Sequence, residues 1–181
     1  MKNPGGTIPL LEEPGSGFVL AEAHAILAYL CQKYHWFDLY PNDHRSRAKV
    51  DWYLHSHHRG ARDASLAFFA TNVRKDLTFP EDVVTMSKAV FNRHLKAMED
   101  GWLKNSNYLA GDQVSLADLA AYVDIAQLKP KFTNLFDFDP FPNVSRWMQS
   151  LEQFGMHDEA HAGLALLGDI SQNSPDNQAI K

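Results

Sequence analysis

The stretch Asn3-Pro4-Gly5-Gly6-Thr7-Ile8-Pro9-Leu10-Leu11, followed closely by Leu20-Ala21-Glu22-Ala23-His24-Ala25-Ile26-Leu27-Ala28-Tyr29-Leu30, constrains this chain more than any other feature. Two short apolar runs flank Pro14-Gly15-Ser16-Gly17, a composition that turns a backbone on itself. Thr7 to Glu12 and Phe18 to Leu20 therefore read as the two strands of a hairpin. Gly15-x-Gly17 lacks the third glycine of a dinucleotide fingerprint and opens no helix, so it is a turn only. From Glu22 to about Lys33, apolar residues at Ala25, Ile26 and Leu30 mark an amphipathic helix.

Tyr40-Pro41-Asn42-Asp43 is a linker, and the pattern beyond it is helical. One long helix is predicted from about Arg45 to Thr71, with Val50, Tyr53 and Leu54 on its buried face and Gly60 weakening its middle. Phe79-Pro80-Glu81-Asp82 starts another, running to about Leu103, with acids at its positive end. Ser115 and Asp118 stand three apart at the clearest helix start, an Asp version of the capping box, and that helix stops before Pro130. Helices over Val144 to Phe154 and Asp158 to Leu167 complete the series. The division expected is residues 1–40, residues 41–168 as an all-helical domain, and residues 169–181 as a flexible tail.

Composition excludes several classes of function. Lys+Arg 17 against Asp+Glu 22 leaves a net charge of -5 and no basic patch, so no nucleic-acid partner is expected. No apolar run has membrane-spanning length, and no signal pattern opens the chain. The single cysteine, Cys31, cannot close an intrachain disulfide and fits a reducing compartment, so a cytoplasmic protein is expected.

Two motifs in this order, the Pro-bearing strand with its following helix and Tyr108-Leu109-Ala110-Gly111-Asp112 running into Val114-Ser115-Leu116-Ala117-Asp118, resemble the glutathione transferases, closest to their theta-like class. The resemblance covers nearly the whole chain. It implies a mostly α fold: an all-helical C-terminal domain preceded by a partial thioredoxin-like α/β domain of strand, strand and helix, the first half of that domain being absent. An unpaired sheet edge is then expected at Thr7–Glu12. The implied activity is conjugation of the glutathione thiol to electrophilic apolar compounds, a detoxification reaction, by a homodimer.

The site residues follow from the same resemblance. The proline matching Pro9 is cis in the family and exposes the main chain of the residue matching Ile8 to the cysteinyl part of glutathione; read from the residues alone, an X-Pro bond is usually trans. Glu22 and Ala23 open a helix, and free N–H groups there suit a carboxylate. The family holds the γ-glutamyl end at this pair with an acid or amide followed by serine. Ala23 keeps the N–H but not the hydroxyl, a loss worth about ten-fold to a hundred-fold in affinity. His58 and Arg62 match the helix that faces the electrophile. The hydroxyl that activates the glutathione sulfur has no counterpart here, so no catalytic residue is assigned.

Other clusters carry blander readings. His55 and His58 have i,i+3 spacing without a carboxylate-rich partner helix, so no metal is expected. His57 joins them on a solvated or cleft-facing surface. His157-Asp158-Glu159-Ala160-His161 departs from the zinc-protease pattern at Asp158 and reads as an exposed polar turn. Trp52, Tyr53, Phe68 and Phe69 read as core, cleft wall or dimer contact. Two rivals to the enzyme stand: a non-catalytic transferase-like module that binds partners or apolar ligands, and a truncated product of a working enzyme.

Overall fold

The computed structural model describes residues 2–173. Strands β1 (Leu10–Glu12) and β2 (Val19–Ala21) pair antiparallel, with Leu10 opposite Ala21 and Glu12 opposite Val19. Among the described residues β1 has no partner on its other edge. The ladder begins at Leu10, shorter than the expected Thr7–Glu12 strand; Pro9, whose bond to Ile8 is cis, has no N–H to donate. Gly15 and Gly17 turn the hairpin at φ 80° and 72°, values an L side chain rarely adopts. Helix α1 (Ala23–Lys33) packs back on this hairpin, and Glu13 ties its far end by bonds from Tyr29 and Lys33.

The linker is well anchored. Leu116 N–H donates to the Leu39 carbonyl at 2.8 Å, and Arg47 stacks over Tyr40 while donating to the Pro41 carbonyl. Asp43 then caps α2 (His44–His57) by accepting from Ser46 N–H.

The expected single helix from Arg45 to Thr71 is a correction. It ends at His57, turns irregularly through residues 58–62, becomes helical again at 63–64, and continues as a π-helical turn (Ser65–Ala70) and α3 (Thr71–Val73). The break falls where Gly60 lies against the imidazole of His94. A Cβ on residue 60 would meet His94 Nδ1 at 2.1 Å. Helix α4 (Glu81–Ala97) starts at the predicted acids and passes into a π-helical turn (Met98–Trp102).

Helix α5 (Leu116–Ile125) is the axis of the helical body, and its start is built around Asp118. That carboxylate is fully buried and accepts from Ser115 N–H, Ser115 Oγ, Leu109 N–H and Trp147 Nε1 at 2.8–2.9 Å. Burial pushes its pKa up, against the four donors that pull it down. The core around it includes Tyr53, Phe91, Leu95, Ile125 and Trp147. Helix α6 (Pro142–Leu151) carries Pro at its first position and takes its N-terminal acceptor from Glu99, which bonds Asn143 N–H and Val144 N–H at 3.0 Å.

The His157–His161 segment is a second correction. It forms two short helices, α7 (His157–Ala160) and α8 (Ala162–Ala165), and His157 is buried rather than exposed. Its imidazole bonds the Tyr122 hydroxyl at 2.7 Å and stacks on His161. An apolar helix, α5, presents that one phenol inward, and a histidine is the polar partner it finds. Beyond α8, Ile170 N–H donates to the Thr133 carbonyl at 3.1 Å, so the start of the expected tail is tethered. Residues 174–181 of that tail lie outside the described residues.

Candidate functional site

Between the strand–strand–helix unit and the helical body lies a cleft of about 350 Å³. One wall is Thr7, Ile8, Pro9, Glu22, Ala23, His24 and Leu27; the other is His57, His58, Arg62, Ala120, Val123 and Asp124. All six residues expected at the site from the sequence line this one space. Larger hollows lie against Phe136 (730 Å³) and Asp112 (480 Å³), but neither is lined by any of those six residues.

Ile8 precedes the cis proline and stands 92% exposed, so its main chain is open to a ligand. Glu22 sits between β2 and α1 at φ 72°, ψ 118°, a strained conformation for a residue with a Cβ. The first helical bond of α1 runs from Ile26 N–H to the Glu22 carbonyl at 2.9 Å. The N–H groups of Ala23, His24 and Ala25 lie ahead of it and, with the positive end of the helix dipole, form a docking point for an anion.

The opposite wall holds residues that sequence reasoning did not assign to the site. Asp124, on α5, accepts from His57 Nε2 at 2.9 Å and from Arg62 Nη1 at 3.2 Å. The rings of His57 and His58 each lie 4.8 Å from that of His24, centroid to centroid. Burial, with added repulsion from His57 and His58, lowers the His24 pKa to about 4. His24 Nδ1 and His57 Nδ1 are both buried without a partner. Beneath them Tyr53 bonds His94, whose pKa burial and His57 likewise lower to about 4. The signal for Asp124 was available: a second acid within the apolar run Leu116 to Leu128 needs a buried partner. His55, by contrast, is exposed and lies outside the cleft. Among the described residues no group of three or more His, Cys, Asp or Glu side chains is arranged to hold a metal ion. Among them, too, no helix is long and apolar enough to cross a membrane.

This architecture, a cleft between a β-hairpin-and-helix unit and a helical body centred on α5, has a counterpart in known proteins. The family profile described as the C-terminal domain of glutathione S-transferase matches residues 46–153. Glutathione S-transferase theta-1 of Mus musculus is 32% identical over 158 residues, covering 83% of this chain and 63% of that protein. The human theta-1 protein is 31% identical over 181 residues, covering 96% of this chain and 74% of that protein. Human glutathione S-transferase T1-1 in its apo form superposes with a TM-score of 0.75 at 26% identity, over 98% of this chain and 76% of that one. Human theta-2, solved with glutathione, superposes with a TM-score of 0.75 at 26% identity, over 99% and 77%.

The chain belongs to the glutathione S-transferase family, and its relatives above are of the theta class. It spans 63% of the length of the mouse theta-1 protein.

Proposed function

We propose that this chain binds glutathione in the cleft between α1 and α5 and serves its conjugation to electrophilic compounds. The observation that carries the reading is the meeting of an exposed main chain at Ile8 with the free N-terminus of α1 at Glu22 and Ala23. Glutathione has a peptide backbone at its centre and an α-carboxylate at its γ-glutamyl end, and these two features suit those two groups. Ile8 would hydrogen-bond the cysteinyl main chain, with Pro9 shaping the turn. The N–H of Ala23 and the carboxylate of Glu22 would hold the carboxylate and ammonium of the γ-glutamyl end. His58 and Arg62 would line the electrophile side. The reaction needs the thiolate, which attacks the electrophilic carbon. A carbon–sulfur bond forms, the leaving group departs with its electron pair, and the thiol proton passes to solvent.

Human theta-2 has been solved with glutathione, and a human theta-class enzyme with the glutathione conjugate of 1-menaphthyl sulfate. Those ligands support the same chemistry here. The wider reading is a dimeric, cytoplasmic, detoxifying protein whose first forty or so residues hold glutathione and whose residues 41–168 shape the second pocket. Exposed Trp52 and Met86, on α2 and α4, and the free buried thiol of Cys31 are consistent with it. A non-catalytic binding module is the second reading, and Ala23 favours it by withholding a hydroxyl from the γ-glutamyl end.

Calorimetry with glutathione, alongside turnover of 1-chloro-2,4-dinitrobenzene, tests the proposal. Binding with turnover supports conjugation. Binding without turnover favours the module, and an absence of binding sinks both the assignment of the cleft and the roles given to its residues.

A further inference from the structure

Arg62 owes its place to another residue. It lies on the irregular segment between α2 and the π-helical turn, where no regular backbone aims its side chain, and that side chain is 64% exposed. An unclamped arginine there would sweep through many rotamers. Asp124 is its opposite: it sits on the regular helix α5, its side chain is only 12% exposed, and its two oxygens have separate partners. Oδ2 takes His57 Nε2, and Oδ1 takes Arg62 Nη1.

The direction of control runs from His57 outward. His57 is 3% exposed and its Nδ1 is buried without a partner. A carboxylate only accepts, so the bond between His57 Nε2 and Asp124 Oδ2 is donated by the imidazole, and both atoms are held in the buried interface of α2 and α5. His57 therefore fixes the carboxylate, and the carboxylate fixes the guanidinium. Tying α2 to α5 requires only the His57 bond. The second oxygen goes to an ion pair whose cation is mostly in water, and such pairs contribute little stability. What that bond provides is orientation.

We propose, resting on the glutathione reading above, that Asp124 is the positioning residue for Arg62. The pair together sets the preference of the cleft for a negative charge at the sulfur end of the bound tripeptide.

The test compares two tripeptides by calorimetry, glutathione sulfonate, charged at sulfur, and S-methylglutathione, neutral there. The proteins are the native chain, R62M, D124N, the R62M/D124N double variant and D124E, each checked for folding by circular dichroism. The native protein should prefer the sulfonate. R62M and D124N should each reduce that preference by about ten-fold to a hundred-fold, the double variant no further than either single change, and D124E should restore part of it. Independent, multiplying losses in the double variant, or an unchanged preference in D124N, would overturn the proposal. Should D124N not fold, D124E is the variant read, with an intermediate preference expected and a native one counting against the idea. A protein that binds neither tripeptide refutes the glutathione reading, and the positioning role is then decided without ligand. Rotation about the Arg62 Nε–Cζ bond, followed by nitrogen NMR, should be slow in the native protein and fast in D124N. Equal rates would overturn it.

Discussion

Gly60 lies so close to His94 that a Cβ on it would approach the imidazole Nδ1 to 2.1 Å and Cγ to 2.4 Å. His94 cannot retreat cheaply, because it is buried and bonded to the Tyr53 hydroxyl. Gly60→Ala is therefore expected to destabilise the protein by about 1–3 kcal/mol, the usual range for overpacking. This reverses the sign expected for Gly→Ala within a helix. A urea-unfolding midpoint at or above the native value would contradict the close packing.

Asp118 concentrates four donors on one buried carboxylate. In Asp118→Asn one oxygen becomes an NH₂ group facing those donors. With the NH₂ placed where the Ser115 hydroxyl can turn to accept from it, at least Ser115 N–H loses its acceptor, at roughly 1–3 kcal/mol. Unfolding followed through tryptophan fluorescence should show a loss of that order. An effect under about half a kcal/mol would mean that the network reorganises around the amide.

Acid should weaken the fold through His24 and His94. Both have pKa values in the folded protein lowered to about 4, from the ordinary histidine value of 6.5. Between those limits the unfolded chain binds protons that the folded chain refuses, so stability is full above pH 6.5 and falls as pH drops toward 4. The steepest slope is about 1.4 kcal/mol per pH unit for each histidine. His94→Gln should flatten the dependence of the urea midpoint on pH in that window. An unchanged slope would remove His94 from the account.

Glu22 couples backbone strain to binding. Glycine at this position relieves a φ of 72°, whereas alanine keeps the Cβ and the strain. Glu22→Gly should be more stable than Glu22→Ala by roughly 1 kcal/mol, while both lose glutathione affinity with the carboxylate. Equal stability of the two variants would show the strain to be negligible. Native affinity in both would take Glu22 out of the site.

Much of the molecule was legible along the chain because the signals are local. Turn glycines and alternating apolar runs marked the hairpin, and Ser115 with Asp118 marked the start of α5 within a residue. Ile8, Pro9, Glu22 and Ala23 were named through the family resemblance rather than from a local signal, and the structure brings all four to one cleft. Residues 58–62 were not legible. The pattern through Gly60 is compatible with a helix, and only the arrival of His94, more than thirty residues later in the chain, breaks it.

The sequence by itself determined the hairpin and the capped helix, because each rests on short-range spacing that the backbone reads directly, and the motifs they carry were enough to show the resemblance to the family. Tertiary structure alone decided which polar groups face one another. Asp124 meets His57 and Arg62 across more than sixty residues of chain, and His157 meets Tyr122 across thirty-five. Such pairings arise because a buried polar group must find a partner once the core has closed, and the residue type alone does not say which partner comes within reach.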